Sequence, residues 1–170
     1  MPWSHTFINF AYGSNMSSRR LRTRTPSAMP VGIGRLAGHR LMWHKIGRDG
    51  SAKCDIHQTG RADDFVWGVL FEIDLAEKPL LDEAEGLGNG YAHKSVAVLT
   101  DGDVVQAGAY HATHIDATLE PFDWYVAFVL QGAQEHGLPG HYLRALESVA
   151  AVVDPDADRR ERNFSLLRVP

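Results

Sequence analysis

The order of elements in this chain predicts an α+β fold. Short alternating or β-branched runs fill the first two thirds, and Asp101-Gly102 marks a tight hairpin between two of them. After Pro121 the apolar residues switch to helical spacing, giving a helical C-terminal third. A doubly wound parallel sheet would instead alternate strand and helix throughout.

The first strand is expected at Thr6 to Ala11, an apolar run ending in the turn composition Tyr12-Gly13-Ser14-Asn15. Ser17 or Ser18 is placed to cap a short helix that must stop before Pro26. Gly32 to Lys45 is strand-like, with Leu41 and Trp43 on one face, and Ala52, Cys54 and Ile56 alternate as in a half-buried strand. Phe65 to Ile73, rich in β-branched and aromatic residues, is the clearest buried strand. Pro79 to Glu85 forms a short helix that Gly86, Gly88 and Gly90 terminate. Tyr91 to Thr100 and Asp103 to Thr113 flank the hairpin turn. Tyr125, Phe128, Val129 and Ala133 then mark one helix, Leu143, Leu146 and Val149 a second, and Asp156 to Phe164 a charged terminal segment.

With 170 residues, no internal repeat and no low-complexity linker, residues 1–170 are expected to form a single domain. A chain of this size buries about 70% of its unfolded surface, enough for a core of its own. Seventeen Lys and Arg against twenty-one Asp and Glu leave a net charge of −4 and a pI near 6.1, which argues against a broadly basic nucleic-acid binder. The single cysteine, Cys54, excludes an intrachain disulfide and any multi-cysteine metal site, and fits a reducing compartment. The longest apolar stretch, Trp124 to Leu130, is far short of the ~18 residues of a membrane span, and Met1 to His5 lacks the pattern of a secretory leader. The expectation is a cytoplasmic protein with no membrane and no nucleic-acid partner, monomeric or homodimeric.

Several features invite a chemistry that their context does not support. Gly32, Gly34 and Gly38 miss the dinucleotide spacing, and strand-like residues follow where a helix should begin. His111 and His114 fall on opposite faces of a strand end, so the nine histidines are expected to be exposed polar residues and no metal site is assigned. Cys54 reads as a buried apolar residue, and Ser14 stands outside a nucleophile elbow. Arg19, Arg20, Arg22 and Arg24 read as a solvated helix face, with contact to a phosphate or carboxylate as the alternative.

Leu81-Asp82-Glu83-Ala84-Glu85-Gly86 carries more. Asp82 and Glu85 share a helical face, and Glu85 sets an anion at the negative end of the helix dipole. Burial there would raise its pKa and suit it to carry a proton; the alternative is a solvated acidic turn.

Phe10-Ala11-Tyr12-Gly13-Ser14-Asn15, followed by Leu81 to Gly86, resembles the γ-glutamylcyclotransferase family. The likeness continues in order through Pro26-Ser27-Ala28, Val66 to Val69, Gly90-Tyr91, Tyr110, Pro121 with Tyr125, Gly132 to Glu135, Gly137 to Pro139 and Tyr142, covering roughly residues 7–146. It implies a small mixed β-barrel with flanking helices and an enzyme that releases 5-oxoproline from small γ-glutamyl compounds without cofactor or metal. By the same likeness Glu85 is the catalytic acid/base. Phe10, Ala11, Tyr12, Gly13, Ser14 and Asn15 line the γ-glutamyl pocket, and Tyr125 contacts substrate. Tyr91 and Tyr110 are further binding candidates, although each of the three tyrosines also fits simple core packing.

Two departures, Ala52 to Ile56 and the short Glu85 to Tyr91 loop, fall where the acceptor side of the pocket would lie, and Asn15 stands where the glutathione-specific branch is expected to carry leucine. The expected substrates are γ-glutamyl amino acids or γ-glutamyl amines. A catalytically silent module that binds small acyl ligands in the same pocket is the alternative from another class, and Glu85 weighs against it because an anion repels an anionic ligand.

Overall fold

The computed structural model describes residues 5–168. The leader reading on Met1 to His5 falls almost wholly on residues 1–4 and so lies outside them, as do residues 169–170. Five strands, β1 (Thr6–Ala11), β5 (Phe65–Asp74), β2 (Met29–Ala37), β6 (Tyr91–Leu99) and β7 (Val104–Ala112), close a barrel in that order. Every neighbouring pair is antiparallel except the closure, where Asn9 on β1 meets Gly108 on β7 in parallel. Strands β3 (His39–Ile46) and β4 (Ala52–Gln58) form a separate antiparallel ribbon, split from β2 by Gly38 at φ +73°. Mixed strand directions, barrel closure and flanking helices agree with the α+β expectation.

The helices are α1 (Ser18–Arg22), α2 (Lys78–Glu85), α3 (Asp123–Glu135), α4 (Gly140–Glu147) and α5 (Ala157–Arg168). Ser17 caps α1 by accepting the Arg20 N–H, as its position predicts. Helix α4 stops at Glu147, so Val149 falls beyond it rather than inside. None of the helices among the described residues is long and apolar enough to cross a membrane.

Phe10, Phe71, Val66, Val69, Ile73, Val98 and Leu81 are fully buried and make the core between barrel and helices. Two glycines fix how the helices meet the strands. A Cβ on Gly68 would lie 2.5 Å from the Ala11 carbonyl oxygen and 2.6 Å from the Phe10 ring, so glycine lets that ring settle over β5. A Cβ on Gly132 would lie 2.5 Å from the Ser17 nitrogen, so glycine lets α3 press against the chain that follows β1.

The ribbon corrects two expectations. Cys54 and Ile56 are buried as the alternation requires, but Asp55 on the other face is buried as well. Its carboxylate meets His44 Nε2 at 2.7 Å and accepts the Ala112 N–H at 2.7 Å, which ties the ribbon to the barrel. His39 and His44 are therefore interior residues, contrary to the expectation of exposed histidines, because hydrogen bonds satisfy their rings.

Candidate active site

The cavity lies where the end of β1, the last turn of α2, the start of β6, β7 and the start of α3 converge on the ribbon. It is a cleft of about 380 Å³ whose walls include all ten residues singled out from the sequence. Asn9 and Cys54 also line it.

The floor comes from the chain leaving β1. Phe10 and Ala11 end the strand, and Ser14–Met16 winds into a single 3₁₀ turn closed by the Met16 N–H on the Gly13 carbonyl at 3.1 Å. The N–H groups of Gly13, Ser14 and Asn15 find no acceptor among the described residues, which leaves three donors grouped at one turn. A Cβ on Gly13 would lie 3.2 Å from Cys54 Cβ and 3.4 Å from the Tyr125 hydroxyl. The turn thus touches the ribbon and α3 at once.

Glu85 is the last residue of α2. Gly86 at φ +72° ends the helix in the left-handed conformation, with the Leu87 N–H returning to the Asp82 carbonyl at 2.9 Å. The Glu85 side chain is 18% exposed, accepts a hydrogen bond from Asn15 Nδ2 and stands 3.9 Å from the Arg24 guanidinium. Burial pushes its carboxyl above the ordinary 4.5, against the opposing pull of Arg24, Arg20 and Lys45. Asp82, one turn earlier, is differently placed. Burial acts on it too, but hydrogen bonds from Tyr110 at 2.5 Å and Lys78 at 2.9 Å hold its carboxyl below the ordinary value. On one helix, burial thus holds the Glu85 carboxyl above its ordinary value while hydrogen bonds hold Asp82 below its own.

The tyrosine hydroxyls are tied to the protein. Tyr12 donates to the Tyr110 carbonyl at 2.5 Å, Tyr91 to the Cys54 carbonyl at 2.7 Å and Tyr110 to Asp82. Tyr125 accepts the Cys54 N–H at 3.0 Å. These rings wall the cleft. Burial holds all four phenols neutral. Cys54 has its thiol pushed up to about 12 by burial, far from a reactive thiolate.

The arginine run is corrected. Arg19 and Arg22 are exposed as expected, but Arg20 and Arg24, four apart, turn inward on one face of α1 and its extension. Arg24 donates to Asn15 Oδ1 at 2.8 Å and Arg20 to Ser14 Oγ at 3.2 Å, so these two face the turn after β1 rather than solvent. Lys45 and Lys53 were also missed. Strand β3 carries a bulge between Trp43 and Lys45 that breaks the alternation and sets Lys45 opposite Lys53. Asn9 is a third omission: it is 2% exposed, and its Oδ1 finds no partner among the described residues.

His44, Asp55 and His57 offer ligand atoms within 4.8 Å of one another. The Asp55 carboxylate there is already committed to His44 and the Ala112 N–H, so the group reads as a structural tie.

Residues 65–146, from β5 to α4, match the model of the AIG2-like family. The chain is 30% identical over 161 residues to the gamma-glutamylcyclotransferase of Homo sapiens, covering 87% of this chain and 81% of that protein. It is also 30% identical over 152 residues to the protein of the same name from Bos taurus, covering 85% and 79%. A solved gamma-glutamyl cyclotransferase superposes with a TM-score of 0.87 at 26% identity, covering 96% of this chain and 98% of that one.

Proposed function

The chain belongs to the gamma-glutamylcyclotransferase family of enzymes, and from that premise we propose that it releases 5-oxoproline from γ-glutamyl amino acids or amines with Glu85 as general acid/base. The observation that carries this reading is the half-buried Glu85 carboxyl, raised in pKa and held by Asn15 beside three grouped backbone donors.

The reaction needs little beyond such a site. The substrate's α-amine attacks its own γ-carbonyl carbon, a C–N bond forms, and the five-membered ring closes as the bond to the departing amine breaks. Holding the substrate folded supplies effective molarity, worth up to ~7–11 kcal/mol, so no protein nucleophile is required. The α-nitrogen sheds two protons in passing from ammonium to lactam N–H, and the departing nitrogen gains two in leaving as an ammonium. Glu85 accepts a proton from the α-ammonium before attack and delivers it to the departing nitrogen as that bond breaks, and it then passes the second proton from the ring nitrogen to the freed amine. The N–H groups of Gly13, Ser14 and Asn15 supply donors for the oxyanion that develops on the carbonyl or for the substrate's α-carboxylate. The neutral tyrosine rings wall the folded substrate away from water.

The test is mass-spectrometric detection of 5-oxoproline from a panel of γ-glutamyl dipeptides and amines, with Glu85→Gln in parallel. Turnover by the wild type and a loss of ~10²–10⁴-fold in the folded variant support the reading. Equal turnover by both removes Glu85 from its role, and no product from folded wild type moves the site to the silent binding module.

A further inference from the structure

The cleft opens into a wider vestibule of about 870 Å³, and Ser14, Glu85, Tyr91 and Tyr125 line both. The two spaces differ in charge. No lysine or arginine lines the inner cleft, whereas Arg20, Arg24, Lys45, Arg48 and Lys53 line the vestibule against only Asp49 and Glu85. Five cations against two carboxylates stand out in a chain whose net charge is −4.

Only two of these cations have a carboxylate partner among the described residues. Lys53 pairs with Asp49 at 2.9 Å and Arg24 stands 3.9 Å from Glu85, but among the described residues no carboxylate lies within 4.0 Å of Lys45, Arg20 or Arg48. Lys45 is the least exposed of them. The residue is only 7% exposed, its Nζ lies 4.5 Å from the centre of the Tyr91 ring, and the bulge sets it across from a second lysine. Like charges on facing strand positions oppose folding, and an ammonium with no carboxylate within 4.0 Å loses hydration that the Tyr91 ring and the more distant Glu85 and Asp49 charges only partly offset. Both lysines line the vestibule, where an incoming anion would find them.

We propose that the vestibule is an anion subsite for the leaving group, with Lys45 as its specificity-determining residue. The enzyme would then prefer γ-glutamyl compounds whose departing amine bears carboxylates: acidic amino acids first, neutral ones next, and amines without a carboxylate last. The inference rests on the reaction proposed above. That reading puts the γ-glutamyl head in the inner cleft, and the leaving group then has only the vestibule to occupy.

The experiment compares kcat/KM for γ-glutamylglutamate, γ-glutamylalanine and γ-glutamylethylamine in the wild type, Lys45→Met and Lys45→Arg. All three substrates carry the same head, and a ratio of rates within one protein does not depend on the fraction that is folded. A fall of about tenfold from the first substrate to the last, flattened in Lys45→Met and kept in Lys45→Arg, is expected for a charge-assisted contact. Equal rates for the three in wild type overturn the proposal. So does an equal loss on all three in Lys45→Met, which would mean that Lys45 serves the head's own carboxylate. If no substrate yields 5-oxoproline, the reaction reading fails separately, and calorimetric binding of γ-glutamylglutamate and γ-glutamylethylamine still decides the subsite. Tighter binding of the first that Lys45→Met abolishes upholds it, and equal binding overturns it.

Discussion

Asn15 donates from Nδ2 to Glu85 Oε1, joining the turn after β1 to the last residue of α2 across 70 positions of sequence. Its Oδ1 accepts from Arg24, so one amide holds both the carboxylate and the cation nearest to it. The bond fixes which way Glu85 faces. Asn15→Ala is expected to lower kcat by about 10²-fold, since small misplacements of a proton carrier cost that much, while KM changes less. Steady-state kinetics of the folded variant check this, and a rise in KM at constant kcat would give Asn15 a binding role instead.

Gly13 leaves little room for a side chain in the floor. A valine there would put its Cβ 3.2 Å from Cys54 Cβ, and the added methyls would reach the cleft or the Tyr125 hydroxyl. Gly13→Val should lose most turnover by displacing the three N–H donors, with a destabilisation of about 1–3 kcal/mol. Kinetics beside thermal melting measure both, and wild-type kinetics in a folded variant would show that the donors can move without loss.

What the sequence revealed of the site was local. The Phe10 to Asn15 turn and the helix stop at Glu85-Gly86 announce themselves within a few residues, and the switch to helical spacing after Pro121 set the fold class. What it hid depends on how the chain bends. The bulge after Trp43 defeats strict alternation, so Lys45 and Lys53 gave no signal as a pair. The inward arginines did leave one, since Arg20 and Arg24 are four apart, but a five-residue helix offers too little length to show which face is buried. Closure of the barrel through Asn9 and Gly108 is a long-range pairing that no local pattern encodes.

Asp154 joins the C-terminal segment to the site's outer wall. It is buried, accepts from Trp124 Nε1 at 2.9 Å and pairs with Arg159 at 2.6 Å, while Arg160 pairs with Asp123 at 2.8 Å. The charged segment therefore fastens α5 to α3 behind Trp124, which lines the vestibule. Asp154→Ala strands the indole N–H and should cost about 1–3 kcal/mol, read as a lowered midpoint in chemical denaturation. An unchanged midpoint would show that α5 is held by its other contacts.

The raised pKa of Glu85 makes opposite demands on activity and stability. In the proposed role of base it works only when ionised, so kcat/KM should fall as pH drops through a value above the ordinary 4.5 of a glutamate. Stability follows the other sign. A carboxyl whose folded pKa exceeds its unfolded one binds a proton more tightly in the native state, so its favourable contribution is complete at low pH and is lost as pH rises through the folded value. At neutral pH the enzyme therefore holds a buried charge at a cost that Arg24, Arg20 and Lys45 only partly offset. Glu85→Gln removes that charge and can still accept from Asn15. It should melt higher than wild type at pH 7, by a margin that shrinks as the pH is lowered toward 4. A margin that widens on acidification would mean that the arginines, not burial, dominate at Glu85, and the acid limb of the rate profile would then lie below the ordinary glutamate range.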